Sequence, residues 1–300
     1  MNRQKLLSSP MRLFYMALPF VILMVIFNYL PLVGWIYAFS EGMPRALGDV
    51  QFVGLDLFKR MWMKGSTFPL ALRNTLMMGG MMLITMPLPV LFALGLAQVR
   101  NAKLSRMLQT VASLPNFISW VLVYGIFYMF FGSQGGINQI LLHLHLTNAP
   151  VEVLLDDNRV WLIQTLISLW KTLGWNAIIY IAALSSIDKT LYEAADVDGA
   201  GRLMKIWYIS LPELKQTFFV LLILAVGNIL NTGFEQYYVF RNPLILNKID
   251  VLDTYIYTQG ITNMEFGYAT AVGMAKSIVS VAILFAVNKM AKKFRGEAIL

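Results

Sequence analysis

Six long apolar segments dominate this sequence of 300 residues. Each is long enough to cross a hydrocarbon core of about 30 Å, which takes about 20 helical residues. The chain is 58% hydrophobic and only 13% charged, whereas a soluble domain usually carries about 25% charged residues. Strands of alternating apolar and polar residues, typical of a membrane β-barrel, are absent. The sequence therefore predicts an all-α membrane protein, one transmembrane domain over 1–300, with spans at about 13–39, 75–99, 107–131, 160–184, 217–237 and 268–290.

Prolines inside these segments predict kinks and not ends, because neighbouring helices and polar side chains can satisfy the freed backbone groups in a membrane. They are Pro19, Pro31, Pro87, Pro89 and Pro115. The first segment is about twice the length of a signal-peptide core and lacks a clear cleavage site, so we expect a retained first span.

The distribution of Lys and Arg predicts the orientation. With the N-terminus in the cytoplasm, the inner segments hold 14 of the 24 basic residues and the outer loops hold 8. Both termini are then expected in the cytoplasm, as is the loop between spans four and five. The first outer loop, 40–74, is an exception with five basic residues. Its segment 51–64 resembles a short interfacial helix; a cationic partner-binding patch is the alternative.

Several classes of chemistry lack their usual residues. The chain has no cysteine, which excludes disulfides, thiol nucleophiles and Cys-ligated zinc. His143 and His145 lie in one outer loop with two aspartates a dozen residues on, fewer convergent ligands than a metal site needs, so no metal is predicted. No phosphate-binding G-x-x-x-x-G-K sequence occurs, so the chain is not expected to hydrolyse ATP itself. The basic residues lie at the ends of apolar runs, which suits membrane orientation better than nucleic-acid binding.

A compact polar loop at 188–212 interrupts the apolar pattern between spans four and five. Asp188 can cap a helix that begins at Lys189. Gly199 allows a left-handed turn at its end. A second short helix, about 201–209, is expected to pack Leu203, Ile206 and Trp207 on the membrane domain. Pro212 suits the first turn of the next span, where its missing N–H costs little.

This loop resembles the signature loop of permease subunits of binding-protein-dependent ATP-binding-cassette importers. The family signature is Glu-Ala-Ala, three residues, Gly, nine residues, then Ile-x-Leu-Pro. The residues that match it here at the same spacing, or that fit the Asp-Gly-Ala form of carbohydrate importers, are Glu193, Ala194, Ala195, Asp198, Gly199, Ile209, Leu211 and Pro212.

The resemblance covers most of the chain. Stretches outside the loop are similar to a subfamily of oligosaccharide permeases, which includes permeases for acidic chains such as alginate or pectin fragments. The matching stretches are NYLPLVGWIYAF (28–39), FVGLDLF (52–58), LRNTL (72–76), LPNFISW (114–120), GWNAIIYIAALSSID (174–188), GFEQYYVFRNP (233–243) and YATAVGMAKSIVS (268–280).

This resemblance implies a mechanism and a set of partners. Two permease subunits, often distinct homologues, form the translocation path in the bacterial inner membrane. Each inserts its loop helix, the coupling helix, into a groove on a cytoplasmic ATPase subunit, and an extracytoplasmic binding protein delivers the sugar. ATP and Mg²⁺ are used by the ATPase subunits, so the permease is not an enzyme and binds no cofactor. Rocking of rigid bodies then switches access from outside to inside.

Two lysines within the spans are candidates for the sugar pathway. Lys171 and Lys276 are ionisable groups at membrane depth, where such groups are costly and normally face a cavity or a partner. They either line the pathway and hold an anionic sugar, or pair with backbone carbonyls or an acid for structural reasons.

Amides, one carboxylate and aromatic rings supply further candidates, because sugar recognition uses planar polar groups for hydroxyl pairs and rings for stacking. Helix–helix hydrogen bonds and interfacial aromatic belts are the alternative roles for the same side chains. These candidates are Trp175, Tyr180, Asn228, Asn231, Glu235 and Gln236.

The leading prediction is thus the permease subunit of an ATP-driven oligosaccharide importer. An ion-gradient-driven secondary transporter, with Lys171, Lys276 and Glu235 as relays, is the alternative; an inverted repeat or several buried acids would favour it, and neither is evident. An intramembrane enzyme lacks a nucleophile–base pair or a metal site.

Overall fold

A computed structural model describes residues 9–41 and 51–295, which are nearly all helical with one short strand pair. Parts of both predicted cytoplasmic tails, 1–8 and 296–300, and part of the first predicted outer loop, 42–50, lie outside the described residues. The elements are α1 Ser9–Met24, β1 Ser40–Glu41, β2 Gln51–Phe52, α2 Asp56–Arg60, α3 Phe68–Thr85, α4 Pro87–Ala97, α5 Ala102–Ser113, α6 Trp120–Phe131, α7 Gly136–His143, α8 Val160–Ser185, α9 Lys189–Val197, α10 Arg202–Lys205, α11 Leu211–Gly227, α12 Glu235–Val239, α13 Leu246–Ile249, α14 Leu252–Tyr257 and α15 Phe266–Arg295.

Six helical stretches of the described residues are long and apolar enough to cross a membrane, as the sequence predicts. Large apolar side chains along them, such as Phe14 and Ile84, are exposed in the single chain, as suits helices whose outer faces meet lipid tails. The stretches are Leu13–Phe39, Phe68–Ala97, Trp120–His143, Val160–Ser185, Arg202–Gly227 and Phe266–Lys289.

The third span differs most from its prediction of 107–131. α5 ends at Ser113, a 3₁₀ turn covers Leu114–Phe117, and α6 begins only at Trp120. Pro115 is the second residue of that turn. Its ring has no N–H to give and clashes with helical continuation, so here the proline ends the helix instead of kinking it.

The fifth span is shifted toward its N-terminus relative to the prediction of 217–237. One continuous helical path leads from α10 through a π-helical turn, Ile206–Ser210, into α11, so the predicted separate helix at 201–209 does not exist as such. The π turn appears as the bond from Leu211 N–H to the Ile206 carbonyl. At the other end the helix stops at Gly227, and Gly233, at φ +97°, turns the chain before α12.

The described chain divides into two compact units. In the unit that spans Met1–Ser66 and Ile256–Ala275, α1 continues through a π turn, Val25–Tyr29, and a 3₁₀ helix, Leu30–Phe39. That helix leads into the antiparallel pair β1 and β2, in which Ser40 pairs with Phe52. The Arg60 guanidinium donates to Glu265 at 2.6 Å and lies over the Tyr268 ring, and the hydrogen bond from Arg60 to the Glu265 carboxylate raises the pKa of Arg60. Arg60 is therefore engaged inside the unit.

The other unit, Thr67–Tyr255 and Lys276–Leu300, contains two apolar clusters. In one, Met78, Val123 and Ile167 pack with buried residues of 237–251. In the other, side chains of α4, α8 and α11 meet around Ala93, Ala177 and Leu214. α8 lies among these elements, and at Gly174 it approaches α5 so closely that a Cβ would overlap the Ala112 carbonyl. α8 therefore organises this unit.

Candidate functional site

The predicted docking loop begins with a capped helix. α9 starts where the sequence predicts it, after Asp188, whose carboxylate accepts a hydrogen bond from the Thr190 N–H at 2.9 Å. Hydrogen bonds from the backbone and hydroxyl of Thr190 hold the pKa of Asp188 below its ordinary value. The carboxylate therefore stays charged at the positive end of the helix dipole, which it complements.

A Schellman turn ends the same helix. The Ala200 N–H donates to the Ala195 carbonyl at 2.8 Å, and the Gly199 N–H donates to the Asp196 carbonyl at 3.1 Å. Gly199 has φ +74°, the left-handed conformation that favours glycine. The glycine of the signature thus sets the angle at which the chain leaves α9.

The signature residues expose a mixed surface. Glu193, Ala194 and Asp198 are exposed, and Ala195 is half-buried. Beside them Val197, an apolar side chain, is 89% exposed. Small and apolar groups at the tip of a polar loop are suited to close contact with another protein. At the far end of the signature, Ile209 and Leu211 are half-buried and Pro212 is exposed.

Two side-chain contacts tie α9 to the helix that follows. The Tyr192 hydroxyl lies 2.9 Å from the hydroxyl of Ser210, which is buried in the π turn. Lys205 forms an ion pair with Asp196. Because Ser210 leads directly into α11, the loop helix and the fifth span are connected by more than the backbone.

The packing expected of the second part of the loop is only partly present. Ile206 packs beside the apolar cluster of α4, α8 and α11, as predicted. Leu203 and Trp207, however, are 72% and 65% exposed. The continuous helix from Arg202 directs these two side chains away from the described chain, which corrects the expectation that all three pack inward.

A cavity of about 340 Å³ lies among α3, α4, α8, α11 and the turn after α11. The described residues that line it include no Asp, Glu, Lys, Arg or His. The buried hydroxyl of Thr232 has no hydrogen-bond partner within the described chain, so it is available to a ligand or a water. The polar lining residues are Thr85, Thr165, Ser168, Thr172, Asn176, Tyr180, Asn228, Asn231 and Thr232.

Three of the predicted pathway residues are brought together here. Tyr180, Asn228 and Asn231 all line the cavity. The Asn231 amide donates to the Asn228 side-chain oxygen at 3.2 Å, and the Asn228 amide donates to the Leu224 carbonyl. Both amides are exposed and retain further hydrogen-bonding capacity for a sugar hydroxyl.

Lys171 lies elsewhere and does the structural work that the sequence leaves open as an alternative. It is 6% exposed, and its ammonium group donates to the carbonyls of Pro115, Asn116 and Ile118 at 3.1, 2.8 and 2.6 Å. These carbonyls belong to the break between α5 and α6. Lys171 therefore supplies hydrogen-bond donors to carbonyl groups at the break between the two helices.

The remaining pathway candidates do not line the cavity. The Lys276 ammonium donates to Asp253 at 2.5 Å, and Gln236, 4% exposed, donates to the backbone and side-chain oxygens of Gln164. Trp175 meets Phe117 edge to face, and Glu235 is exposed at the start of α12. These positions favour the structural alternatives for Lys276 and Gln236.

Sequence reasoning missed the polar stripe of α8, the residues Thr165, Ser168, Thr172 and Asn176. Their spacing of three, four and four residues places them on one face of an apolar helix. That periodicity was a usable signal, because polar side chains at membrane depth normally face a cavity or a partner. Ser and Thr are easily overlooked, since their hydroxyls can bond their own helix, as Thr172 does to the Ser168 carbonyl.

No three His, Asp or Glu side chains come together as a metal site would need, within residues 9–41 and 51–295.

Comparisons with known proteins decide the family. Residues 86–296 match the family described as "Binding-protein-dependent transport system inner membrane component". The chain belongs to this family. Protein LplB of Bacillus subtilis (strain 168) is 39% identical over 96% of this chain and 90% of its own length. The polygalacturonan/rhamnogalacturonan transport system permease protein YteP of the same organism is 38% identical, over 96% and 89%.

Solved structures agree with this assignment. A bacterial ATP-binding-cassette transporter involved in the import of the acidic polysaccharide alginate matches with a TM-score of 0.85 and 33% identity, over 94% of this chain and 96% of that one. A second structure shows a bacterial alginate transporter in complex with an alginate pentasaccharide-bound periplasmic protein, at a TM-score of 0.86 and 33% identity, over 96% of each chain. The chain is thus a multi-pass membrane permease subunit of a binding-protein-dependent transport system, a component that is not itself an enzyme.

Proposed function

We propose that this permease moves an acidic oligosaccharide across the bacterial inner membrane by alternating access, driven by ATP that partner subunits hydrolyse. The coarser function, permease of an ATP-binding-cassette sugar importer, follows from its family and from relatives that match nearly its full length. One observation carries the acidic substrate: both a permease named for polygalacturonan and an importer of alginate match this chain over about nine-tenths of their lengths.

The 188–212 loop is the proposed docking element for an ATPase subunit, with Glu193, Ala194, Ala195, Asp198 and Gly199 at its tip. Its exposed Val197 and small alanines would enter a groove on the partner. The Tyr192–Ser210 contact and the Lys205–Asp196 ion pair support this role, because a loop that transmits movement must be firmly attached to its span. Ile209, Leu211 and Pro212 would carry the movement into α11.

This docking requires the loop in the cytoplasm. The excess of Lys and Arg in the segments predicted to be inside supports that orientation, with both termini on the same side. The sugar-binding protein would then approach the opposite side, where the turn after α11 and the segment before α8 lie.

The cavity is this chain's proposed share of the sugar path, and a second permease, a distinct homologue, would supply the facing wall. Hydroxyl and amide groups such as Asn176, Asn228 and Thr232 can exchange hydrogen bonds with sugar hydroxyls as the substrate moves. None of these groups implies a bound metal or cofactor; Mg²⁺ and ATP would bind the ATPase subunits.

Reconstitution tests the proposal. This chain would be co-expressed with its neighbouring subunits, and the complete importer would be reconstituted in proteoliposomes. The binding protein and an acidic oligosaccharide would be supplied on the side from which uptake is measured. We expect uptake only when both ATP and the binding protein are supplied. Uptake that follows a proton or sodium gradient alone would identify a secondary transporter instead, and a neutral sugar carried in place of the acidic one would refute the substrate class.

A further inference from the structure

Two cations meet at one indole ring near the start of α8. The Arg73 guanidinium carbon lies 5.5 Å from the centroid of the Trp161 ring, and the Lys248 ammonium lies 5.7 Å from it. The Trp161 N–H donates to the Lys248 carbonyl at 2.9 Å, which fixes the ring. We call Arg73, Trp161 and Lys248 the Trp161 cluster. All three residues belong to one compact unit.

Arg73 is held in a defined position although it is exposed. Its Nη2 donates to the Asn247 carbonyl at 3.0 Å and to the Asn74 side-chain oxygen at 3.2 Å. Asn74 is fully buried, and its amide donates to the carbonyls of Asn247 and Asp250. Because Nη1 makes no hydrogen bond within the described chain, the guanidinium presents two free N–H donors from a fixed frame.

The charges around the cluster leave Arg73 without compensation. Lys248 forms an ion pair with Asp157 at 3.0 Å, and Arg241 pairs with Asp250 at 3.4 Å. Within the described residues, no carboxylate lies within ion-pair distance of Arg73. These groups together leave one positive charge, on the side chain whose donors are free.

The cluster lies next to the cavity along α8. Trp161 precedes Thr165 by four residues, and the Thr165 hydroxyl donates to the Trp161 carbonyl at 2.7 Å. Residues four apart lie on the same face of a helix, about 6 Å apart along its axis. Trp161 therefore extends the polar stripe of α8 by one turn beyond the cavity.

We propose that the Trp161 cluster binds the carboxylate of an acidic sugar unit, with Arg73 as the residue that makes the contact. This inference rests on the proposed function, and it adds where the charge of the substrate is recognised. An N–H of the Arg73 Nη1 can donate a charge-assisted hydrogen bond to a carboxylate oxygen, and Arg is a cation suited to recognition of such anions. Trp161 and Lys248 hold the shape of the site, and Arg73 supplies its uncompensated positive charge.

This assignment divides recognition between two neighbouring regions. The uncharged cavity exchanges hydrogen bonds with hydroxyls and would hold an anion weakly, which lets a charged chain move on. The cluster one turn away captures the charge first. An uncompensated cation inside the path would bind the anionic sugar too tightly to release it. A single cation at one end of the cavity can select the acidic sugar and still let it move on.

The test uses the complete importer in lipid nanodiscs without its binding protein, and two probes of the same skeleton: trigalacturonate and its methyl ester, which is uncharged. Affinities are measured by saturation-transfer NMR, which detects weak ligands. We expect Arg73→Gln to weaken trigalacturonate binding roughly tenfold and to leave the ester unchanged. Arg73→Lys should fall between, because it keeps the charge but loses the guanidinium that Asn74 and Asn247 hold in place.

Arg159→Gln is the matched control, since Arg159 is also an exposed arginine, lies at the start of α8 and already pairs with Asp156. It should bind both probes as the wild type does. The wild type supplies a second measurement that needs no variant: added sodium chloride should weaken binding of the acid and not of the ester.

Two results would overturn the assignment: equal binding of acid and ester by the wild type, or unchanged acid binding by Arg73→Gln. Failure of the proposed function looks different. In that case proteoliposomes with ATP and binding protein would not take up the acidic sugar at all, whatever residue occupies position 73.

Discussion

The proposed docking loop and the cavity lie in the same unit of this permease, yet they are built in opposite ways. The loop is made by 25 consecutive residues whose caps, turn and ion pair are mostly contacts between near neighbours in sequence. The cavity is assembled from four helices and a turn, spread between Gly79 and Thr232. Local construction leaves a recognisable sequence pattern, whereas a surface gathered from distant segments leaves only single polar residues.

The spans contain two kinds of polar residue, those that pair within the fold and those that line the cavity. Lys171 and Lys276 are the most conspicuous groups in the sequence, and both are engaged by partners of the fold itself. The inconspicuous Thr172 and Asn176 line the cavity. At membrane depth a charge is costly enough to require a partner, and in this chain both lysines have theirs within the fold.

The largest expected effect comes from breaking the turn of the docking loop. Gly199→Pro cannot adopt φ +74° and loses the N–H that bonds Asp196, a change that costs about 3 kcal/mol or more. We expect the ATPase to be absent from the purified complex and uptake to be abolished, with membrane insertion retained. Gly201→Ala is the control, because Gly201 has φ −69° and open space around it. Normal ATPase association in Gly199→Pro would show that docking occurs elsewhere.

Lys171→Met tests whether a conspicuous charge serves structure. It removes the ammonium donor that three part-buried carbonyls share, of which the Pro115 carbonyl keeps the Ile118 N–H, so we expect the complex to lose about 1–3 kcal/mol of stability. The measurement is thermal unfolding of the purified complex, followed by uptake per folded molecule, which should be unchanged. A variant of normal stability with a specific loss of uptake would return Lys171 to the sugar path.

The Tyr192–Ser210 contact tests how the loop is attached to its span. Tyr192→Phe and Ser210→Ala each remove the same hydrogen bond of about 1 kcal/mol. That energy corresponds to about a fivefold change in the coupling between ATP hydrolysis and transport. Sugar transported per ATP hydrolysed should fall, while the ATPase remains bound. The double variant should be no worse than either single one, because both remove the same contact. Tyr208→Phe, at a side chain that is 78% exposed, should have no effect; an equal loss there would contradict a specific contact.

The smallest effect is expected in the cavity, where we propose that sugar recognition is shared among many neutral groups. Asn176→Leu removes one of nine polar lining residues, and we expect uptake to fall only roughly threefold, with docking and stability intact. Asn176→Ser keeps a hydrogen-bonding group and should recover part of that loss. A complete loss of uptake in Asn176→Leu would mean that recognition in the cavity is concentrated in one residue.

Much of the fold could be predicted from residue order alone, because apolar length determines which segments can cross a membrane. The first and fourth spans match their predictions closely. The third does not, since Pro115 ends a helix in one context where Pro19 is retained inside one in another. Where a helix breaks, its carbonyls need donors from elsewhere in the fold, and here one such donor, Lys171, is more than fifty residues away in sequence.

The sequence by itself determined the six apolar stretches, the capped helix after Asp188 and the left-handed turn at Gly199, because each depends on residues within a few positions of one another. Only the tertiary structure decided that Lys276 meets Asp253, that Trp161 holds two cations, and that Asn228 shares a cavity with Thr172. Those pairings depend on how helices pack. Packing among apolar helices is set by shape over many weak contacts, and no short stretch of sequence records it.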